Sequence, residues 1–66
     1  MQIILNGKPM QLDDAPTIAE LLQREGYAER RVAVEINRAI VPRSLHAIRR
    51  VADGDQIEIV QAMGGG

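Results

Sequence analysis

The sequence predicts an α+β domain in which one amphipathic helix packs on one face of a mixed β-sheet. Three observations predict it. Asn6-Gly7 is a strong hairpin signal between two strand-like segments. A helix with a clear capping signal follows, and three further strand-like segments come after it. The order is therefore β-β-α-β-β-β, and placing the helix on the sheet is the economical way to bury the apolar side chains of both.

The first two strands are predicted over residues 1–6 and 9–12. Asn6 and Gly7 both tolerate the positive φ that a two-residue hairpin turn requires. Pro9 begins the returning strand, where its missing N–H does least harm. The first and last strands are apolar and have no interior proline, so we expect both near the centre of the sheet.

The helix is predicted over residues 18–25. Thr17 and Glu20 fit the capping box, with Thr17 as the N-cap. Gly26 is placed to end the helix in the left-handed conformation. The helix has one apolar face to bury, formed by Ile18, Leu21 and Leu22.

The third strand is predicted over residues 32–36, where apolar side chains alternate with Ala33 and Glu35. A turn at residues 37–39 should lead to a short strand at 40–41, which the next residue, a proline, stops. The expected core face of the third strand consists of Val32, Val34 and Ile36.

A single helical turn is expected within residues 44–48. The tight turn Asp53-Gly54-Asp55 precedes the last strand, predicted over residues 56–60. Alternation places Ile57 and Ile59 on the core face of that strand.

Composition excludes several classes of function. The chain has 66 residues, close to the lower limit for independent folding, and so small a core leaves little room for a deep substrate cavity. We therefore expect no catalytic residues and no enzyme activity. The hydrophobic fraction of 45% and the charged fraction of 26% are those of a globular protein.

Metals, nucleic acids and membranes are not expected as partners. The chain has no cysteine, and the single histidine, His46, has no evident cluster with which to bind a metal ion. A formal net charge of −1 argues against nucleic acid. No apolar run is long enough to span a bilayer, and strand-like sequence at the N-terminus argues against a signal peptide.

The sequence ends in three glycines, Gly64-Gly65-Gly66, directly after the last predicted strand. A folded core gains nothing from three consecutive glycines, because glycine loses the most conformational freedom on ordering. Such a tail is useful where the α-carboxylate of Gly66 must enter a narrow site on another protein. The alternative is a frayed terminus or a leftover linker.

Five segments together resemble one family: MQIILNGKPMQL, TIAELL, VAVEINRAIVPRS, DGDQIEIV and the diglycine end. They resemble the ubiquitin-like β-grasp sulfur carrier proteins, and most closely the thiamin-biosynthesis branch. The more specific signal for that branch is Asn37-x-x-Ile40-Val41-Pro42-Arg43 followed by Asp53-Gly54-Asp55. The chain departs from the pattern in having three terminal glycines where two suffice.

The resemblance implies a β-grasp domain over residues 1–63 and a flexible tail over 64–66. It implies that an E1-like adenylyltransferase uses ATP to activate the Gly66 carboxylate, with Gly64 and Gly65 recognised in the tail. A sulfur donor of the cysteine desulfurase type would then convert the adenylate to a thiocarboxylate, and thiazole synthase would accept the sulfur. The carrier itself would bind no cofactor, act in the cytoplasm and be a monomer when free.

A carrier also needs a docking surface. Strand alternation places Ile4 and Val60 on the face away from the predicted core. If their strands are neighbours, these side chains form an exposed apolar patch that Ala62 and Met63 extend towards the tail. Methionine adapts well to more than one partner.

Two other functions would use the same tail. The small subunit of molybdopterin synthase resembles this chain, but it is generally longer and often carries proline near the end of its last strand. A ubiquitin-like protein modifier would join the activated carboxylate to lysines, and a conjugate rather than a free thiocarboxylate would identify it. An interaction module with incidental glycines is a further possibility.

Overall fold

The computed structural model describes residues 1–28 and 30–61, and in these ranges the chain forms five strands, one α-helix and one 3₁₀-helix. The elements are β1 Gln2–Leu5, β2 Lys8–Gln11, α1 Ile18–Arg24, β3 Val32–Ile36, β4 Ala39–Ile40, a 3₁₀-helix Arg43–Leu45 and β5 Gln56–Gln61. The predicted β-β-α-β-β-β order is confirmed.

The strands form one mixed sheet in the order β2-β1-β5-β3-β4. The central strands β1 and β5 are parallel, whereas β1 pairs with β2, and β3 with β5 and β4, in antiparallel fashion. The prediction that the first and last strands lie centrally is confirmed. A parallel pair at the centre requires a long crossover, and the helix lies in that connection.

The hairpin turn between β1 and β2 has the backbone that its residues predict. Asn6 has φ 50° and Gly7 has φ 81°. The Asn6 side chain has a second function, because its Oδ1 accepts a hydrogen bond of 2.7 Å from the backbone N–H of Ile59. Asn6 therefore has two roles: it forms the hairpin turn, and it extends the contact between β1 and β5 by one residue past Leu5, the end of β1.

The capping box of α1 is complete. The backbone N–H of Glu20 donates to Thr17 Oγ1 at 3.1 Å, and the backbone N–H of Thr17 donates to Glu20 Oε1 at 2.8 Å. The second bond is the main reason that the pKa of Glu20 lies below its usual range. Gly26 has φ 85°, as expected for the residue that ends the helix, although the helix ends at Arg24, one residue before the predicted boundary.

The core lies between α1 and the sheet. Ile18, Leu21 and Leu22 of the helix are all buried, as predicted. They pack in one cluster with buried side chains of β1, β3 and β5. The remaining core residues are Ile3, Leu5, Leu12, Val34, Ile36, Val41, Val51, Ile57 and Ile59.

Two element boundaries after β3 differ from the prediction. The turn consists of Asn37 and Arg38, which have φ 51° and 71°, so Ala39 already belongs to β4. β4 is therefore Ala39–Ile40, one residue earlier than predicted. The expected helical turn is a 3₁₀-helix that begins at Arg43, directly after Pro42.

Candidate functional site

The predicted reactive end of the chain lies outside the described residues. This holds for Gly64, Gly65 and Gly66, and also for the predicted docking residues Ala62 and Met63. β5 runs through the sheet centre towards that end, and its last residue, Gln61, is paired with Val32 at the start of β3. The site that can be described is therefore the part of the domain around the end of β5.

A buried carboxylate fixes the beginning of β5. Asp55 is 7% exposed, and its two carboxylate oxygens accept hydrogen bonds from Asn37 Nδ2 at 3.1 Å and from the Ala52 backbone N–H at 2.8 Å. Asn37 Oδ1 accepts in turn from the Gln56 backbone N–H at 2.9 Å. The turn after β3 is thus tied to the turn before β5. Asn37 and Asp55 both belong to the motif that carried the family resemblance. In the structure they set the position of β5, the strand that leads to the tail.

Ile4 and Val60 both lie on the face of the sheet opposite α1, which we call the open face. Their strands are neighbours, as the docking hypothesis required. Val60 is 62% exposed and Ile4 is 39% exposed. Ile4 is paired with Gln56, four residues before Val60 on β5, which separates the two side chains by roughly 13 Å along the strand. They share a face without being in contact.

Glu58 lies between them on the open face. It is paired with Glu35 of β3, and Glu35 is paired with Ile40 of β4. Sequence reasoning did not single out these residues as part of the site. The alternation of residues 32–36 does place Ala33 and Glu35 away from the core, but which side chains lie opposite them depends on register.

Further apolar side chains extend the open face. Ala33 is exposed and pairs with Val60, and Ile40 is 74% exposed at the sheet edge. Pro9 is exposed and pairs with Ile4 on the other side. Exposed apolar residues are common singly, but several on one sheet face that reaches the end of β5 indicate an interaction surface.

A cleft of about 240 Å³ lies on the other side of the sheet, between the end of α1 and the 3₁₀-helix. Arg30, Arg43 and His46 are among its lining residues. Arg30 Nη1 also donates a hydrogen bond of 3.5 Å to Gln61 Oε1, which brings this cleft close to the end of β5. His46 Nε2 donates to the backbone carbonyl of Val41 at 3.1 Å, a structural contact that holds the 3₁₀-helix against β4.

Within residues 1–28 and 30–61, no group of three or more His, Cys, Asp or Glu side chains is placed to hold a metal ion. In the same ranges, no helix combines the length and apolarity that crossing a membrane requires.

The model of the ThiS family matches residues 3–66, which is nearly the whole chain and includes the terminal glycines. The chain belongs to the ThiS family.

Relatives of this family occur both as separate small proteins and within longer ones. The chain is 41% identical to the sulfur carrier protein ThiS of Escherichia coli strain K12 over 66 residues, which is the full length of both. It is 42% identical to a thiazole synthase of Paramagnetospirillum magneticum and 41% identical to one of Magnetococcus marinus, each over 66 residues. The chain spans only 20% of the length of these two thiazole synthases.

The fold comparison agrees with the family. A crystal structure of the thiamine biosynthesis protein ThiS from Geobacter metallireducens superimposes with a TM-score of 0.85 at 35% identity, and all of both chains is covered. A solution structure of a thiamine biosynthesis protein from the same organism gives a TM-score of 0.80, covering all of this chain and 88% of the other. The predicted β-grasp fold is confirmed.

Proposed function

We propose that this chain is the sulfur carrier for the thiazole moiety of thiamin, with the Gly66 carboxylate as the group that carries the sulfur. The observation that supports this best is the full-length match to the E. coli sulfur carrier, together with a family match that extends to the last glycine. The function of a carrier needs no catalytic residue of its own. The chain acts as a substrate and donor, not as an enzyme.

The chemistry divides between the chain end and its partners. A carboxylate is a poor electrophile, so the Gly66 carboxylate needs a leaving group before sulfur can attack it. An E1-like adenylyltransferase supplies this by forming the acyl-adenylate from ATP, with release of pyrophosphate. The persulfide of a sulfur donor of the cysteine desulfurase type then displaces AMP and forms an acyl disulfide. A thiol cleaves the S–S bond of this disulfide, which releases the thiocarboxylate and leaves the thiol and the donor as a disulfide. The sequence has no Walker-type loop, so ATP binding is assigned to the partner. The cytoplasm is the proposed location of the reaction.

The tail gives the carboxylate its reach. Fully extended, residues 62–66 span at most roughly 16–18 Å. That length lets the carboxylate enter a recessed active site while the folded domain, which is a monomer when free, stays outside. Glycines at 64–66 pass a constriction that a Cβ would block. Ile4, Val60, Ala62 and Met63 are the proposed docking residues beside this tail.

Thiazole synthase is the proposed acceptor of the sulfur. Two relatives named thiazole synthase contain a segment that matches this entire chain. A carrier segment joined covalently to the acceptor gains a high effective concentration at the acceptor's active site. A carrier that is not joined to the acceptor would achieve the same transfer by docking.

Intact mass spectrometry tests the proposal. The chain is incubated with the E1-like protein, ATP and a sulfur source, and we expect a mass increase equal to exchanging one oxygen for one sulfur. Deletion of Gly66, or extension of the chain beyond it, should abolish the increase while thermal stability stays unchanged. Sulfur gained equally well by the extended chain would disprove the carrier role.

The products formed from the activated chain separate the alternative functions. A ladder of conjugates on lysines would indicate a protein modifier. A thiocarboxylate that supplies molybdopterin synthase but not thiazole synthase would indicate the molybdopterin branch. Thiazole formation from the purified thiocarboxylate is the result that the proposal requires.

A further inference from the structure

Two carboxylates face each other at the centre of the open face. Glu58 of β5 and Glu35 of β3 are directly opposite in an antiparallel pair, so both side chains project from the same face with Cβ atoms roughly 4.5–5.5 Å apart. Glu58 is exposed and Glu35 half-buried. Like charges placed directly opposite on neighbouring strands are destabilising.

No ion pair or side-chain hydrogen bond in the described part of the chain involves either carboxylate. Among residues 1–28 and 30–61, the one ion pair within 4 Å joins Arg24 to Asp14, away from the sheet. Alternation and register place ten strand residues on the open face, and none is Lys or Arg. They are Gln2, Ile4, Pro9, Gln11, Ala33, Glu35, Ile40, Gln56, Glu58 and Val60.

Apolar side chains lie on both sides of the carboxylate pair. Val60 and Ala33 form the next row towards the end of β5, and Ile4 and Pro9 form a row with Gln56 on the opposite side. Each row is about 6–7 Å from the carboxylate row along the strand. Ile40 continues the carboxylate row to the sheet edge. The open face therefore carries apolar side chains on either side of a negative centre.

We propose that Glu35 and Glu58 form an ion pair with an Arg or Lys side chain of the activating protein. Apolar residues of the activating protein around that cation contact the row of Val60 and the row of Ile4. This inference rests on the proposed function and specifies how the partner recognises the domain. A cation between the two carboxylates replaces their repulsion with two charge-assisted contacts in a surface that docking removes from water.

Charge complementarity favours the activating protein as the occupant. That partner must bind the polyphosphate of ATP beside the place where the tail enters, so its site carries positive charge. A carrier whose docking face is negative is attracted to that region and oriented with its chain end towards it. The face reaches the end of β5, because Val60 is the last but one residue of that strand.

The test is the affinity of the purified activating protein for the double variant Glu35→Gln, Glu58→Gln, measured by calorimetric titration at low and high salt. We expect affinity to fall on the order of tenfold or more at low salt, and the remaining affinity to depend less on salt. Asp13→Asn is the matched control, since it makes the same change to an exposed acid on the loop before α1. It should leave affinity unchanged.

The melting temperature of the double variant and its thiocarboxylate formation distinguish failure of this inference from failure of the proposed function. The double variant should melt at the wild-type temperature or above, because a repulsive pair is removed. Weaker binding with unimpaired folding then assigns the effect to the interface. Unchanged affinity and salt dependence, with normal thiocarboxylate formation, would overturn this inference and leave the carrier role intact. If wild-type chain gains no sulfur from an activating protein that binds it, the proposed function itself fails.

Discussion

At the scale of single residues, Asp55 shows how a turn residue can also organise the fold. The segment Asp53-Gly54-Asp55 predicts a tight turn, and Gly54 has φ 85° as that turn requires. Its burial was not predictable, because Asn37 is 18 residues away and reaches Asp55 only through the pairing of β3 with β5. The contact therefore depends on register, which a local pattern does not contain.

Replacing Asp55 with Asn should destabilise the domain by about 1–3 kcal/mol. The amide keeps the size of the side chain but offers one acceptor oxygen where two donors, from Asn37 and Ala52, now bind. Urea denaturation measures the loss. Asp13→Asn, an exposed substitution of the same type, should change the free energy of unfolding by less than about 0.5 kcal/mol. An equally small effect at Asp55 would show that the network does not contribute to stability.

At the scale of elements, the helix is the part whose sequence signals are most nearly sufficient. Its N-cap, its buried face and its terminating glycine were all predicted, and all are local features within about ten residues. Such features need no knowledge of distant partners. The predicted end differed by one residue, which is the usual uncertainty of a fraying last turn.

Thr17→Ala should lower the free energy of unfolding by about 1 kcal/mol, because the Glu20 backbone N–H loses its acceptor. Chemical denaturation at neutral pH measures this. Thr17→Ser keeps a hydroxyl at the cap and should restore most of the difference. A serine variant as unstable as the alanine variant would assign the effect to packing of the Thr17 methyl group.

The other half of the capping box should make stability depend on pH. The pKa of Glu20 is lowered in the folded chain, mainly by the hydrogen bond from the Thr17 backbone N–H. A lowered folded-state pKa means that the contribution is complete above the ordinary value of 4.5 and is lost as pH falls through the lowered value. Glu20→Gln should therefore lose less stability than wild type between neutral pH and pH values below 4.5. Parallel stability curves for the two proteins would contradict this.

The sheet's open face supports a prediction about docking. Val60→Asp should fold normally, because the side chain is 62% exposed, yet bind the activating protein at least about tenfold more weakly, because docking desolvates the new charge. Ile48→Asp is the matched control, since Ile48 is 70% exposed and lies outside the sheet. Equal affinity of the two variants would remove Val60 from the interface.

At the scale of the whole molecule, the proposed function divides the work between the folded domain and the tail. In that proposal the domain binds and orients the chain on its partner, and the tail brings the carboxylate into the partner's active site. Gly65→Ala separates the two, because it leaves the described surface unchanged. The added Cβ restricts the conformations that can pass a constriction.

We expect Gly65→Ala to bind the activating protein with wild-type affinity but to form the thiocarboxylate more slowly. Adenylation needs close alignment of the carboxylate, so a small displacement can cost on the order of 10²-fold in rate. Time-resolved mass spectrometry of the product measures it. The control is an alanine at position 64, where the third glycine exceeds what the family pattern needs, and it should be affected less. If Gly65→Ala formed the thiocarboxylate at the wild-type rate, the tail would pass no such constriction.

The sequence by itself determined the order of elements, the helix and its caps, the core faces of β1, β3 and β5, and the family, because each rests on local periodicity, turn residues or motif spacing. The tertiary structure alone decided which strands are neighbours and in what register. That register puts Glu58 opposite Glu35 and sets Ile4 and Val60 apart on one face. The tertiary structure also buries Val51, which lies in a loop and donates a backbone hydrogen bond to Pro16. Strand pairing joins residues far apart in the chain, and its choice depends on packing the whole core at once, which no local pattern encodes.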